Sequence, residues 1–167
     1  MDLSKNYKNY EKRLKDRKES PEYQAFLNRY RVLNPYRTFL MEWDVDCCIW
    51  YWDPEEDTGL PNDYGDRVYL EPEKDWDDSP SVVVPGLEDW VRAPMPAVSA
   101  TPDGEDILFD WKTWNRQGMK LAAKLRELLP DCYDLYYCAP FEDYMSWDMI
   151  PILIEKKGEE DAGSNHR

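Results

Sequence analysis

The chain has almost no histidine. Its single copy is His166, far from every aromatic or apolar segment. That scarcity excludes Ser-His-Asp and Cys-His catalysis and His-based metal sites in the body of the protein. Glycine is also sparse, with seven in 167 residues. None forms a phosphate loop: "PDGED" and "DYGD" read as turns, not as G-x-G-x-x-G or G-x-x-x-x-G-K-[ST], so nucleotide-dependent chemistry is not expected. No apolar run approaches the ~18–20 residues that a membrane-spanning helix needs. The N-terminal "MDLSKNYKNYEKRLKDRKES" lacks the apolar core of a secretory signal, so a cytoplasmic location is expected. Cysteine is limited to Cys47, Cys48, Cys132 and Cys138. They have no C-x-x-C spacing, and a cytosolic setting keeps them reduced, so the expectation is buried apolar thiols rather than a zinc site. Positive charge is outweighed, 21 Lys and Arg against 35 Asp and Glu, a formal net charge of −14. Nucleic acid and anionic membrane surfaces are therefore not expected partners, whereas basic proteins and cations are.

What is abundant is aromatic surface among acids. Eight Trp and twelve Tyr accompany the carboxylates, which is not the composition of a disordered chain. The length fits one domain with a core that needs no disulfide or metal. The charge is uneven. Residues 1–37 hold ten Lys and Arg against five acids, whereas residues 41–79 hold fourteen acids and two bases. That acidic stretch is either a solubilising surface or a docking face for something basic.

Residues 1–19 read as a basic helical arm, frayed or mobile. Ser20 is a good N-cap and Pro21 suits the first helical position. Tyr23, Phe26, Tyr30 and Leu33 then form an apolar stripe that Asn34-Pro35 stops. "MEWDVDCCIWYWD" alternates with period two. It predicts one long strand over residues 39–52, with Trp43, Val45, Cys47, Ile49 and Tyr51 on one face. "DPEEDTGLPNDYGD" reads as a long acidic turn. "RVYLEP" and "SVVVPG" are short strands, and "LEDWVR" can make two helical turns. The clearest helix is "DWKTWNRQGMKLAAKLRELLP". Trp111, Trp114, Gly118, Leu121, Ala122, Leu125 and Leu128 share its apolar face, Asp110 caps it and Pro130 closes it. Gly118 on that face predicts close packing against a sheet, since glycine otherwise costs a helix ~1 kcal/mol against Ala. "CYDLYYC" and "MIPILIE" are strands separated by the loop "APFEDYMSWD", and residues 156–167 read as a disordered tail. The expected fold is α/β (α+β): a single domain over residues 20–155, with an antiparallel or mixed sheet packed by two main helices.

Asp44-Val45-Asp46 has a D-x-D spacing that, on a strand, places two carboxylates on one face. Such a pair can share a divalent cation or split its pKa values for acid–base work, so a carboxylate- or metal-dependent enzyme is the alternative reading. A glycosidase-like pair is compatible too, but acids are so common that no pair stands out. The preferred expectation is no catalytic residue, no metal and no cofactor. The acids at 53–57 and 71–78 are interleaved with Trp52, Tyr64, Tyr69 and Trp76, and aromatic anchors rimmed by charge are what tight interfaces use. The expected partner contact comprises Trp52, Asp53, Glu55, Glu56, Asp57, Glu71, Glu73, Asp75, Trp76, Asp77 and Asp78. The competing reading packs each aromatic beneath its own loop.

Residues 107–143, "ILFDWKTWNRQGMKLAAKLRELLPDCYDLYYCAPFED", carry a pattern of their own. An Asp-Trp pair leads into a helix with N-x-x-G and L-A-x-x-L, a closing Leu-Pro, a strand and a Pro-Phe-Glu-Asp turn. This resembles the C-terminal part of a loose group of small acidic bacterial proteins, of a style found among immunity proteins that neutralise polymorphic or contact-dependent toxins. The resemblance implies a non-enzymatic inhibitor of a basic toxin, such as a nuclease, and assigns no catalytic residue. A scaffold or regulatory module docking through the basic arm is the remaining reading.

Overall fold

The computed structural model describes residues 3–96, 109–139 and 150–157. Helix α1 (Leu3–Glu19) leads directly into α2 (Pro21–Asn28), whose N-terminus Ser20 caps by accepting from the Tyr23 N–H at 3.3 Å. The last turn, Arg29–Leu33, is wound as a π-helix, closed by the Asn34 N–H on the Arg29 carbonyl. This wider winding corrects the predicted stripe: Phe26 and Tyr30 are buried, but Leu33 is rotated off the face and is 65% exposed.

Strands β1 (Thr38–Asp44) and β2 (Cys47–Asp53) follow, then β3 (Thr58–Pro61), β4 (Asp63–Tyr64), β5 (Arg67–Tyr69) and β6 (Ser81–Val83). Helices α3 (Leu87–Arg92) and α4 (Trp111–Leu128) precede β7 (Asp134–Cys138) and β8 (Ile152–Leu153). The main sheet runs β3-β2-β1-β7-β8, with β1 and β7 parallel and the other neighbours antiparallel. A smaller antiparallel sheet runs β4-β5-β6. The chain is thus α+β with a mixed sheet.

The single long strand over residues 39–52 is corrected to a hairpin that turns at Val45-Asp46. The alternation concealed the turn because the outer pairs keep parity: Leu40 faces Trp50 and Met41 faces Ile49, so odd residues share a side there. Nearer the turn the register shifts and Asp44 pairs with Cys47, so Cys48, rather than the expected Cys47, joins Ile49 in the core. The acidic turn is also corrected, because β3 and β4 form within it.

The main sheet is covered on both faces. Phe39, Met41, Trp43, Ile49, Tyr51, Leu135 and Tyr137 pack with α3, α4, Val68 and Val84. Leu40, Cys138, Trp50, Trp52 and Tyr136 pack on the other side against Leu14, Tyr23, Phe26, Leu27 and Tyr30. Burial on both faces explains why so many aromatics crowd "CIWYW". The basic arm is anchored there: Arg17 lies 3.8 Å from Glu42 on β1 and stacks over the Tyr23 ring at 4.5 Å.

Asp110 caps α4, accepting from the Thr113 N–H at 3.0 Å. The predicted α4 face is buried from Trp111 to Leu125, but Leu128 is exposed and Leu129 takes its place inside. Gly118 meets α3 and β7 as expected. A Cβ there would lie 2.6 Å from both Trp90 and Tyr137. Trp90 and Trp114 stack at 4.0 Å, and each indole N–H donates to the other's carbonyl at 2.8 Å.

Candidate binding surface

The predicted surface is built at the C-terminal end of β2 and on the small sheet. In the β2–β3 turn, Asp53 accepts from the Glu55 N–H at 2.9 Å and the Glu56 N–H at 3.4 Å, and the Tyr36 hydroxyl also donates to it. Asp53 therefore shapes the turn, while Glu55, Glu56 and Asp57 are exposed. The second acidic loop is held by Arg37, next to Tyr36 in the chain, whose guanidinium donates to both oxygens of Glu73. That fork holds the Glu73 carboxyl below its ordinary range. Burial raises the Tyr36 phenol, with Asp53, Glu55 and Glu73 all adding to the rise, which places acids of both loops around one ring.

Within the second loop, Glu71 pairs with Lys74 at 2.6 Å and gives its N–H to Ser79 Oγ at 2.9 Å. Asp75, Asp77 and Asp78 have no ion pair among the described residues, and neither do Glu55, Glu56 and Asp57. The two tryptophans differ. Trp52 is half-buried on the α2 side, with Tyr30 edge-on at 5.9 Å and the Arg31 guanidinium 4.1 Å above its ring. Trp76 folds back onto Tyr69, stacked at 4.5 Å, yet stays 41% exposed. Tyr64, on β4, lies 6.4 Å from Trp76 and is 73% exposed. Tyr64 is an exposed ring of this surface that the expected contact did not include. Its place between Asp63 and the "YGD" turn was the available signal.

Gly65 follows Tyr64 with φ +61°, the conformation that a two-residue hairpin turn needs at its first position. This hairpin sets Tyr64 at the lip of a cleft of about 340 Å³ that also takes in Val45, Asp46, Asp63, Glu88, Val91 and Arg92. Asp63 is buried and accepts from the Cys48 N–H at 3.2 Å and the Ile49 N–H at 3.0 Å. Burial raises its carboxyl above the ordinary value, partly offset by those N–H donors. Asp44 and Asp46 do not share a strand face: Asp44 ends β1 and Asp46 lies in the hairpin turn, where Asp44 accepts from the Val45 N–H at 2.7 Å. Among the described residues no group of three or more His, Cys, Asp or Glu side chains could hold a metal ion.

Cys47, Cys48 and Cys138 are unsuited to nucleophilic work. Burial, with Asp63 next in effect, raises Cys48, and burial pushes Cys47 up to about 12. Cys138 is buried and raised in the same way. Cys132 is exposed, which corrects the expectation that all four are interior.

No helix among the described residues is long and apolar enough to cross a membrane. Residues 140–143, which end the segment resembling immunity proteins, lie outside the described residues, as do 158–167 of the predicted tail. No family model, curated protein or solved structure matches the chain.

Proposed function

We propose that this chain is a non-enzymatic, cytoplasmic acidic binding protein that docks on a basic protein, as an immunity protein does on a basic toxin such as a nuclease. One observation carries the reading: exposed carboxylates without ion-pair partners in the described structure (Asp75, Asp77 and Asp78) adjoin an exposed aromatic cluster on an ordered sheet. Solubility alone needs dispersed charge and no exposed tryptophan. An acidic face of this kind can occupy the basic substrate groove of a nuclease by standing in for phosphate charge.

The test begins with co-expression of this chain and the product of a neighbouring reading frame that is toxic alone. Restored growth with a stable complex supports the reading. Clustered charge raises association rates by ~10–1,000-fold at low salt. Replacing Asp75, Asp77 and Asp78 together by Asn should therefore slow association and flatten its salt dependence, with folding intact. A complex whose association rate ignores both the substitutions and the salt would return these acids to a solubilising role.

A further inference from the structure

The sequence points to two acidic loops without ranking them, and the structure does rank them. We infer that the partner's contact is centred on the small sheet, where Tyr64, Tyr69 and Trp76 form a platform for the partner's lysine or arginine side chains and the cleft beside Tyr64 receives one of them. The inference rests on the proposal that the partner is a basic protein.

Four observations converge on this site. Tyr64 and Trp76 are exposed although every other described tryptophan is buried or half-buried. Elsewhere the chain covers such rings with its own guanidinium groups, Arg31 over Trp52 and Arg17 over Tyr23. Among the described residues no cation covers Tyr64, Tyr69 or Trp76. The basic groups of the small sheet, its loop and the cleft are engaged, Arg67 with Ser81 Oγ at 2.6 Å, Lys74 with Glu71 at 2.6 Å and Arg92 with Glu88 at 2.7 Å. Negative charge lies on both sides, Asp75, Asp77 and Asp78 in the Trp76 loop and Asp46 and Asp63 around the cleft, where Glu88 offsets the Arg92 charge.

The platform is also pre-organised. The β4–β5 hairpin is closed by Tyr64 against Arg67, and Asp66 accepts from the Glu88 N–H at 2.9 Å, tying the hairpin to α3. The Leu70 N–H donates to the Pro80 carbonyl at 2.8 Å, and the Ser79 N–H to the Asp75 carbonyl at 3.0 Å, so the Trp76 loop is closed at its base. A rigid aromatic loses little conformational entropy on binding, which favours it as an anchor. The cleft, about 340 Å³, is at the small end of the ~300–1,000 Å³ typical of binding pockets, a size for one side chain rather than a folded segment. A cation over an aromatic face gains from the ring quadrupole, and flanking carboxylates add charge complementarity. By contrast, Trp52 is already capped by Arg31, and the 53–57 turn offers charge without an exposed ring.

The probe is a nona-arginine peptide, with nona-glutamine as the neutral control, titrated into the ¹⁵N-labelled full chain at near-physiological ionic strength. The expected result is a shift of the Trp76 indole N–H and of the Tyr64 and Gly65 amides with nona-arginine only. Tyr64→Leu combined with Trp76→Leu should weaken binding about tenfold, corresponding to ~1.4 kcal/mol. Tyr64→Phe, which keeps the ring, should bind as the parent does, and replacing Glu55, Glu56 and Asp57 by their amides should weaken binding less than about threefold. Melting temperatures of the variants separate lost binding from lost folding. Shifts confined to residues 53–57, or leucine variants that fold and bind like the parent, overturn this inference while leaving a basic partner in place. Absence of any shift with nona-arginine, at low salt as well, removes both.

Discussion

Substituting Gly118 by Ala tests the packing at the centre of the molecule, because two opposing effects have different signs. In a solvent-exposed helix the change stabilises by ~1 kcal/mol through helix propensity. Here the added methyl would sit 2.6 Å from Trp90 Cζ2 and from Tyr137 Oη, and ordinary contact begins at 3.4 Å. Both neighbours must retreat by about 0.8 Å, a displacement far up the repulsive wall. Neither is a flexible chain end. Trp90 is stacked on Trp114 and donates to the Trp114 carbonyl, and the Tyr137 hydroxyl donates to Asn115 Oδ1 at 2.6 Å. Gly118 is also the residue whose N–H reaches that same Trp114 carbonyl within the helix, so the missing side chain lets a second donor in. Overpacking costs ~1–3 kcal/mol, and a disturbed buried hydrogen bond ~1 kcal/mol more. After the propensity gain the net loss is about 2 kcal/mol, a fall in Tm of about 4–8 °C for a domain of this size. Differential scanning calorimetry or urea unfolding measures it. Trp90→Phe removes the ring atoms in conflict, so the double variant should be less destabilised than the sum of the single variants, by ~0.5 kcal/mol or more. An unchanged or raised Tm for Gly118→Ala, or strict additivity with Trp90→Phe, would refute the close approach of α4 to α3 and β7.

Three further outcomes are expected. Asp63→Ala should cost about 3 kcal/mol in urea unfolding, because it strands the buried Cys48 and Ile49 N–H groups, whereas Asp63→Asn keeps an acceptor and should cost less than half as much. The raised Asp63 carboxyl means that the folded state holds its proton more tightly than the unfolded chain, so its contribution to stability falls as pH rises from the ordinary aspartate value to the raised one. Asp63→Asn should remove that slope. Glu73 has the opposite sign: its folded pKa is depressed, so the stability from the Arg37 fork is present above the ordinary glutamate value and is lost as pH falls toward the depressed one. Glu73→Gln should thus lower stability at neutral pH by about 1 kcal/mol or less, given its partial exposure, and the difference should vanish in acid. Trp52→Ala should lower stability by about 1–2 kcal/mol, less than for a fully buried tryptophan, with partner binding unchanged, since its ring is covered by Tyr30 and Arg31. A binding loss at intact stability would restore Trp52 as an anchor.

Local chemistry was legible in the residues themselves. Ser20 before Pro21, Asp110 before Trp111, and the helical spacing from Trp111 to Leu125 act through contacts within a few positions, so capping and periodicity identify them without the rest of the fold. Gly118 belongs here as well: a glycine on an apolar helical face has a physical reason, and close packing supplied it. Tertiary structure decided what depends on contacts distant in sequence. The turn at Val45-Asp46 was hidden because a hairpin whose outer pairs keep parity and a continuous strand share one alternation, and the register shift near the turn that exchanged Cys47 for Cys48 in the core leaves no mark in the sequence. The exposure of Leu33 followed from a π turn, which shifts the angular phase without changing the residues. Carboxylates with similar sequence surroundings were sorted by partners far away, Glu73 by Arg37 and Asp63 by the backbone of β2, while Asp75, Asp77 and Asp78 stayed exposed. The same holds for the aromatics: Trp52 and Trp76 both sit beside acids in the sequence. Only the packing of α2 over one and the outward face of the small sheet beneath the other made the first a structural ring and the second, with Tyr64, an open surface.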